Sequence, residues 1–336
     1  MVTSPWIRWV PLGALLAACG TGPLPEPPAP EQRSQAVSVP TAASAWTRAL
    51  PWGAGAGQVG LRPTVPELMA DGPSAVAVGP DGAAFVLDRR NRRVLRVTAS
   101  RVRVAATVPA DAEDLAVGAD GTLAAYSPLK ARVHLLRGET PLGVVSVPRV
   151  LRGVVGITLG ASRQVLLRVA HQETYRLGSP AVPRSLAAVL HSKREGAFRL
   201  ADGRAVAVRR RADGLAELLV IRPGERATVT RRHRLPEPVL AARVMGVAGS
   251  VACLRLERPG PVAGGRISVS RRLVCLDVDS GATRLARDLP LPDPDLYLPR
   301  RELAVGGSPA RVAFLRPTHS GLSLQVWPLQ TGRVDP

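Results

Sequence analysis

GPSAVAVGPDGAAFVLDRRNRRVLRV, residues 72–97, divides into three short strands joined by two turns. SAVAV and AFVLD flank Pro80-Asp81-Gly82, and a polar loop around Asn91 separates AFVLD from RVLRV. A Pro-Asp-Gly turn supplies the positive φ and the side-chain hydrogen bond that a tight hairpin needs, and the flanking runs are apolar or alternate as half-buried strands do. The unit is a small antiparallel meander, too small to bury its own apolar faces.

The same pattern recurs outward along the chain. Leu115-Ala116-Val117-Gly118-Ala119-Asp120-Gly121 precedes TLAAY and RVHLL, and Gly160-Ala161-Ser162 separates VVGITL from RQVLLRV. Ala201-Asp202-Gly203 opens onto RAVAV and ELLVI, Ala248-Gly249-Ser250 onto VACLRL, and Gly306-Gly307-Ser308 onto ARVAFL and LSLQVW. The early steps are about 40 residues, the period of a four-stranded propeller blade. The later ones are lengthened by the insertions ERPGPVAGG and LPLPDPDLYLP.

Residues 72–97 resemble an NHL repeat, and the second copy shares its Asp-Gly turn. The resemblance, with six turns each followed by paired strands, implies an all-β, six-bladed β-propeller of four-stranded antiparallel blades over residues 61–336. A seventh blade stays open if residues 46–62 or 285–300 supply strands beyond those needed to close the ring. A parallel solenoid fits less well, because its repeats are shorter and lack hairpin turns.

The first residues read MVTSPWIRWVPLGALLAAC, with Arg8 as the sole charge before an apolar run from Trp9 to Ala18. A run of that length is short of the roughly 20 residues that span a hydrocarbon core and reads as a signal-peptide h-region. Its end, Leu16-Ala17-Ala18-Cys19-Gly20, resembles the bacterial lipobox, in which a branched residue and two small ones precede a cysteine whose sulfur is alkylated. The resemblance implies a signal peptide over 1–18, a lipoprotein acylated at Cys19 with chains such as palmitate, and firm membrane anchoring by several acyl chains. Gly20 in place of the Asp that retains lipoproteins in the inner membrane of enteric bacteria implies the outer membrane, facing the periplasm or the cell surface. The other reading is an ordinary secretory signal with a chance cysteine.

Residues 19–60 are rich in Pro, Ala, Gly and Ser, with no regular apolar period. Such a segment buries too little surface to offset its ordering entropy and reads as a tether. Trp46 and Trp52 depart from this and are expected to pack on the outer surface of the domain rather than form a ligand site.

Among 336 residues, 46% are hydrophobic but only 3% aromatic, so Val, Leu and Ala must build the core, which suits strands. Forty-five basic residues against 26 acidic give a formal charge of +19, a field felt over a Debye length of about 8 Å. Nearly all the cations are Arg; Lys130 and Lys193 are the lysines and Asn91 the one asparagine. That skew reads as codon bias, so the field alone does not establish a polyanionic partner. Export makes nucleic acid an unfitting one.

Cys253 and Cys275 lie symmetrically about Gly264-Gly265, on expected neighbouring strands of the fifth blade. Directly opposed, they could form a disulfide in an oxidising compartment; two buried thiols are the alternative, because register is not fixed by the sequence. His134, His171, His191, His233 and His319 are scattered and match no zinc or nucleophile motif. Asp111, Glu113, Asp114, Asp293 and Asp295 could feed a calcium site at a channel mouth, but solvated loop charge is the plainer reading. Lactonase-type propellers draw Asn, Asp and Glu ligands from several blades, a pattern this chain lacks, and no streptogramin-lyase-like histidine motif is visible. No catalytic residue, metal or cofactor is assigned.

The densest polar feature is the loop Asp88-Arg89-Arg90-Asn91-Arg92-Arg93. Loops between second and third strands of NHL-like blades line a partner-binding face, where Arg could fork onto carboxylate or phosphate; a solvated hairpin is the duller reading. The sequence thus favours a membrane-anchored, non-catalytic envelope module for a protein or anionic glycan partner. The rivals are a lactonase or lyase with a central-channel site, and a scaffold member of an envelope assembly.

Overall fold

The computed structural model describes residues 44–329 except 225–226 and 264–265, so the expected signal peptide and Cys19 lie outside the described residues. The chain forms six antiparallel sheets in a ring, a six-bladed β-propeller, and four of the sheets, those of blades 1, 2, 4 and 5, are plain meanders. Blade 1 comprises Ala75–Val78, Ala84–Asp88, Arg93–Val97 and Val102–Thr107; blade 2 comprises Asp114–Val117, Leu123–Ser127, Arg132–Arg137 and Thr140–Ser146. The first strands face the axis: that of blade 1 packs on those of blades 2 and 6, and those of blades 4, 5 and 6 pack in series.

All six expected turns join a first strand to a second. In blades 1, 2 and 4 the turn is built alike: the Oδ1 atoms of Asp81, Asp120 and Asp202 accept the N–H two residues on, at 3.1, 3.0 and 3.0 Å. The following Gly82, Gly121 and Gly203 have φ of 75°, 78° and 85°, which an L side chain resists. Consecutive strands reverse direction, so these turns share one face of the disc. The second-to-third loops and the connections between blades share the other.

The ring closes with the N-terminal side of the domain. Trp46–Pro51 pairs antiparallel with Gly321–Pro328 and forms the outer strand of blade 6, whose other strands are Leu303–Gly306 and Arg311–Thr318. The strand Trp46–Pro51 thus lies inside the stretch 19–60 that was expected to be tether. Proline and alanine had masked a strand whose register is set by its partner. Trp52 seats its indole on the carbonyls of Thr318 and His319, at 3.0 and 3.1 Å, and both Trp46 and Trp52 pack on the cluster between blades 6 and 1.

Blade 5 comprises Ala241–Ala248, Val251–Ala263, Arg266–Asp277 and Thr283–Leu289; the insertion ERPGPVAGG lengthens its central hairpin. Cys253 stands opposite Cys275 there and the two are joined as a disulfide, with Cα atoms 3.9 Å apart, inside the cluster that Phe314 and Val312 complete.

The core lies between blades rather than within one. Buried apolar clusters join blades 1 and 2, 2 and 3, 4 and 5, 5 and 6, and 6 and 1. Among the described residues, none contains strand residues of both blade 3 and blade 4. Blade 3 (Val154–Leu159, Val165–Val169, Glu173–Ser179) lacks a continuous outer strand: Val182–Pro183 and Arg194–Glu195 pair with the two ends of its third strand, and helix α1, Leu186–Leu190, loops out between them. Blade 4 comprises Phe198–Arg199, Ala205–Arg210, Leu215–Arg222 and Thr228–Pro238. Polar contacts hold this seam instead: the Gln172 amide brackets the Val208 backbone, donating to its carbonyl and accepting its N–H at 2.7 Å.

Candidate functional site

On the face that carries the second-to-third loops, a cavity of about 300 Å³ opens at the channel where blades 3, 4 and 5 meet the start of blade 6. Its cations are Arg168, Arg243, Arg255, Arg300 and Arg301, and Glu302 is the one carboxylate that lines it among the described residues. Each of these charges is placed by a strand or by the connection that enters blade 6.

Arg301 occupies the centre. Its N–H donates to Ser74 O at 3.0 Å and its carbonyl accepts from Val76 N at 3.0 Å, so it extends the inner edge of blade 1. The guanidinium then crosses to blades 2 and 3, reaching Asp114 Oδ2 at 2.6 Å, Leu115 O at 2.7 Å and Ile157 O at 2.8 Å. Arg300 beside it binds Glu113 Oε2 and Val154 O, each at 2.5 Å, and stands over the Tyr126 ring. Glu302 Oε1 accepts from Arg255 Nη1 at 2.5 Å and from Arg271 Nη2. Most of the charge at the mouth is thereby spent on fastening the ring.

Two cations are not. The half-buried Arg168 lies with its Cζ 4.2 Å from the centre of the Phe198 ring, held by cation–π attraction, and it has no ion-pair or hydrogen-bond acceptor among the described residues. Burial and the neighbouring Arg301 cation push its pKa down, to about 9, against the opposing pull of Asp114. Arg243, exposed on the same rim and opposite Arg255 in register, likewise has no acceptor. Gly156 makes room for this arrangement: a Cβ there would lie 2.4 Å from Arg168 Nη2 and 2.7 Å from Arg301 Nη2.

The loop singled out in the sequence behaves differently. Asp88 is fully buried; its Oδ1 caps Gly60 N at 3.0 Å, and its Oδ2 accepts from Asn91 Nδ2 at 2.7 Å and Arg93 Nε at 3.1 Å. Asn91 also donates to Gly53 O at 2.9 Å, while Arg93 Nη2 reaches the carbonyls of Gly55 and Gln58 at 2.8 and 2.9 Å. Arg89 and Arg90 stand 3.4 and 3.6 Å from the carboxylate of Asp71. The loop thus clasps residues 53–60 to the domain. Arg92, exposed at a φ of 54°, is its outward-facing member.

The acidic residues divide similarly. Glu113 and Asp114 are the ion-pair partners of Arg300 and Arg301. Asp293 and Asp295 lie with His319, their ligand atoms within 4.8 Å of one another, and His319 Nε2 is 3.0 Å from Asp293 Oδ2. Asp295 and His319 are exposed. His233 and His191 hold backbone carbonyls of Val278 and Ala187, each at 2.8 Å. His134 is half-buried, and burial, opposed by Asp111, lowers its pKa; His171 falls in the turn Ala170–Gln172.

No protein-family profile matches the chain, and no curated protein matches it. Among solved structures it is similar to a streptogramin B lyase, at 13% identity and a TM-score of 0.40, over 86% of this chain and 88% of that one. A PQQ-bound aldose sugar dehydrogenase from Streptomyces coelicolor is similar at 13% identity and a TM-score of 0.44, over 86% and 99% of the two chains. BamB from Moraxella catarrhalis is similar at 12% identity and a TM-score of 0.34, over 83% and 99%. Likenesses this distant say nothing of substrate or partner.

Proposed function

We propose that this chain is a lipid-anchored envelope protein whose propeller is a binding module, and that the arginine-rimmed channel mouth receives carboxylates of an acidic protein or glycan partner. The observation that carries this reading is Arg168: a half-buried guanidinium beside the cavity, stacked on Phe198, with every nearby carboxylate engaged by another arginine. A cation held in that state gains from an incoming carboxylate, because the cost of removing it from water has already been met by the fold. The anchor rests on Leu16-Ala17-Ala18-Cys19, and the outer membrane on Gly20.

Two measurements test it. Titration calorimetry of the purified chain with polyglutamate and with polygalacturonate should show binding of one or both, weakened at least about tenfold, or 1.4 kcal/mol, in Arg168→Gln. Turnover of a lactone or glycan by the purified chain, lost in Arg168→Gln, would instead make the mouth an active site. Labelled palmitate should enter the wild-type chain and not Cys19→Ser; equal labelling of the two removes the anchor.

A further inference from the structure

The seam between blades 3 and 4 carries a second concentration of cations on its outer side. Helix α1 takes the place of the middle of the outer strand of blade 3, and one hydroxyl joins it to the third strand beneath: Ser192 Oγ accepts Arg176 N–H at 2.8 Å and donates to Val189 O at 2.6 Å. The displaced chain leaves a cleft of about 390 Å³ toward the Pro223-Gly224 turn of blade 4. Arg176, Arg184, Arg194, Arg199 and His191 line it, and no carboxylate does among the described residues.

These cations come from four separate pieces of chain: the third strand of blade 3, the entry to α1, the segment leaving it, and the first strand of blade 4. Arg194 Nη1 is engaged by the carbonyls of His191 and Lys193, at 3.4 and 2.7 Å. The guanidiniums of Arg176, Arg184 and Arg199 have no acceptor among the described residues. Arg184 and Arg199 are half-buried. Burial, then the cations of Arg176 and Arg194, lowers the pKa of Arg199, so the charges feel one another across the cleft. Nearby Lys193 is held apart by Glu173, at 2.6 Å.

We infer that this cleft is a binding site for a phosphate monoester, the dianionic tetrahedral group found on phosphorylated sugars, peptides and lipid headgroups. Mutual repulsion among three unpaired guanidiniums is relieved in proportion to the charge brought in. A monoester carries about −1.5 to −2 at neutral pH and three acceptor oxygens, so it satisfies several Arg forks at once. A single carboxylate would leave most of the repulsion in place. The site is separate from the channel mouth in its residues and independent of the reading given to that mouth.

The test uses the full chain carrying Cys19→Ser, so that no acyl chain holds it to a bilayer. Inorganic phosphate and phosphoserine should bind in calorimetry, acetate at least tenfold more weakly, and the double variant Arg176→Gln/Arg199→Gln should weaken phosphate by tenfold or more. Arg199→Lys should keep part of the affinity, and Arg168→Gln in the channel should change it less than twofold; equal circular dichroism and melting would certify each fold. Sedimentation with phosphatidylcholine vesicles containing 10% phosphatidic acid separates the sources. Capture lost in the double variant identifies a lipid headgroup, and phosphate binding without capture identifies a soluble monoester. Acetate binding as tight as that of phosphate and lost in the same double variant, or phosphate binding untouched by the folded double variant, overturns the inference.

Discussion

Asp114 and Arg301, 187 positions apart in sequence, form an ion pair of 2.6 Å at the centre of the ring, with the Asp114 side chain fully buried. The same Oδ2 accepts Ile157 N–H at 2.7 Å, so one carboxylate ties blade 2 to blade 3 and to the chain entering blade 6. Removing one partner strands the other charge in a dry place, which costs about 3–5 kcal/mol, whereas removing both costs less than the sum. Asp114→Ala is expected to lose stability on that scale in urea unfolding, and Asp114→Ala/Arg301→Ala to recover part of it. Additive losses would mean that the pair is not coupled.

Gly156 gives a subtler test of the same region. Its φ lies outside the left-handed region, so its value is space: a methyl there meets the guanidiniums of Arg168 and Arg301 and Asp114 Oδ2, the last at 3.0 Å. Gly156→Ala should displace Arg168, the less firmly bonded of the two. Polyglutamate binding should weaken by about fivefold, near 1 kcal/mol, while Gly121→Ala, whose Cβ would enter open space on the opposite face, leaves it unchanged despite straining its turn.

The ring was legible in the sequence because its turns are chemically marked. Asp81-Gly82, Asp120-Gly121 and Asp202-Gly203 each need a positive φ and a local acceptor, and those needs show in residue type. The closing strand was not legible, since Ala49 and Pro51 carry no strand signal and are ordered by a partner 270 or more positions away. Nor was α1, whose LAAVL could as well have been the missing outer strand. At the site, the Arg89–Arg93 run drew notice by density, yet all its charges but that of the outward-facing Arg92 are consumed locally. The free cations Arg168, Arg176 and Arg199 stand singly in sequence and acquire meaning only when the seam between blades 3 and 4 assembles them.

Leu50 stands opposite Leu322, both buried, in the pairing that closes the ring. Ring closure makes the first strand and the last blade one cooperative unit, so damage at Leu50 is felt globally. Leu50→Ala should cost about 2–5 kcal/mol by cavity formation, against about 0.5 or less for the exposed Thr47→Ala three residues earlier. Denaturant melts of the two variants measure the contrast.

The disulfide between Cys253 and Cys275 closes a loop of 22 positions and constrains the longest hairpin of the domain. Its loss in Cys253→Ala/Cys275→Ala is expected to destabilise by about 2–4 kcal/mol, chiefly by freeing the unfolded chain. Reduction of the wild-type chain should bring its denaturation midpoint toward that of the variant, and a midpoint indifferent to reductant would show that the bond contributes nothing.

Acid should act on the turn after the third strand of blade 5. Burial by itself would raise the Asp277 carboxyl, but N–H groups of Ser280 and Asp279 and the hydroxyls of Ser250 and Ser280 donate to it and outweigh burial, holding it well below the usual carboxylate range. A carboxyl whose folded pKa is depressed binds fewer protons folded than unfolded. Its contribution is therefore fully present above about pH 4, the unfolded value, and is lost as pH falls toward the folded one. Wild type should exceed Asp277→Asn in denaturation midpoint at pH 7, and the gap should narrow between pH 4 and 2. A gap constant over that interval would mean that the carboxylate's charge, as distinct from its shape, does not hold the turn, since Asn keeps an acceptor oxygen at the same place.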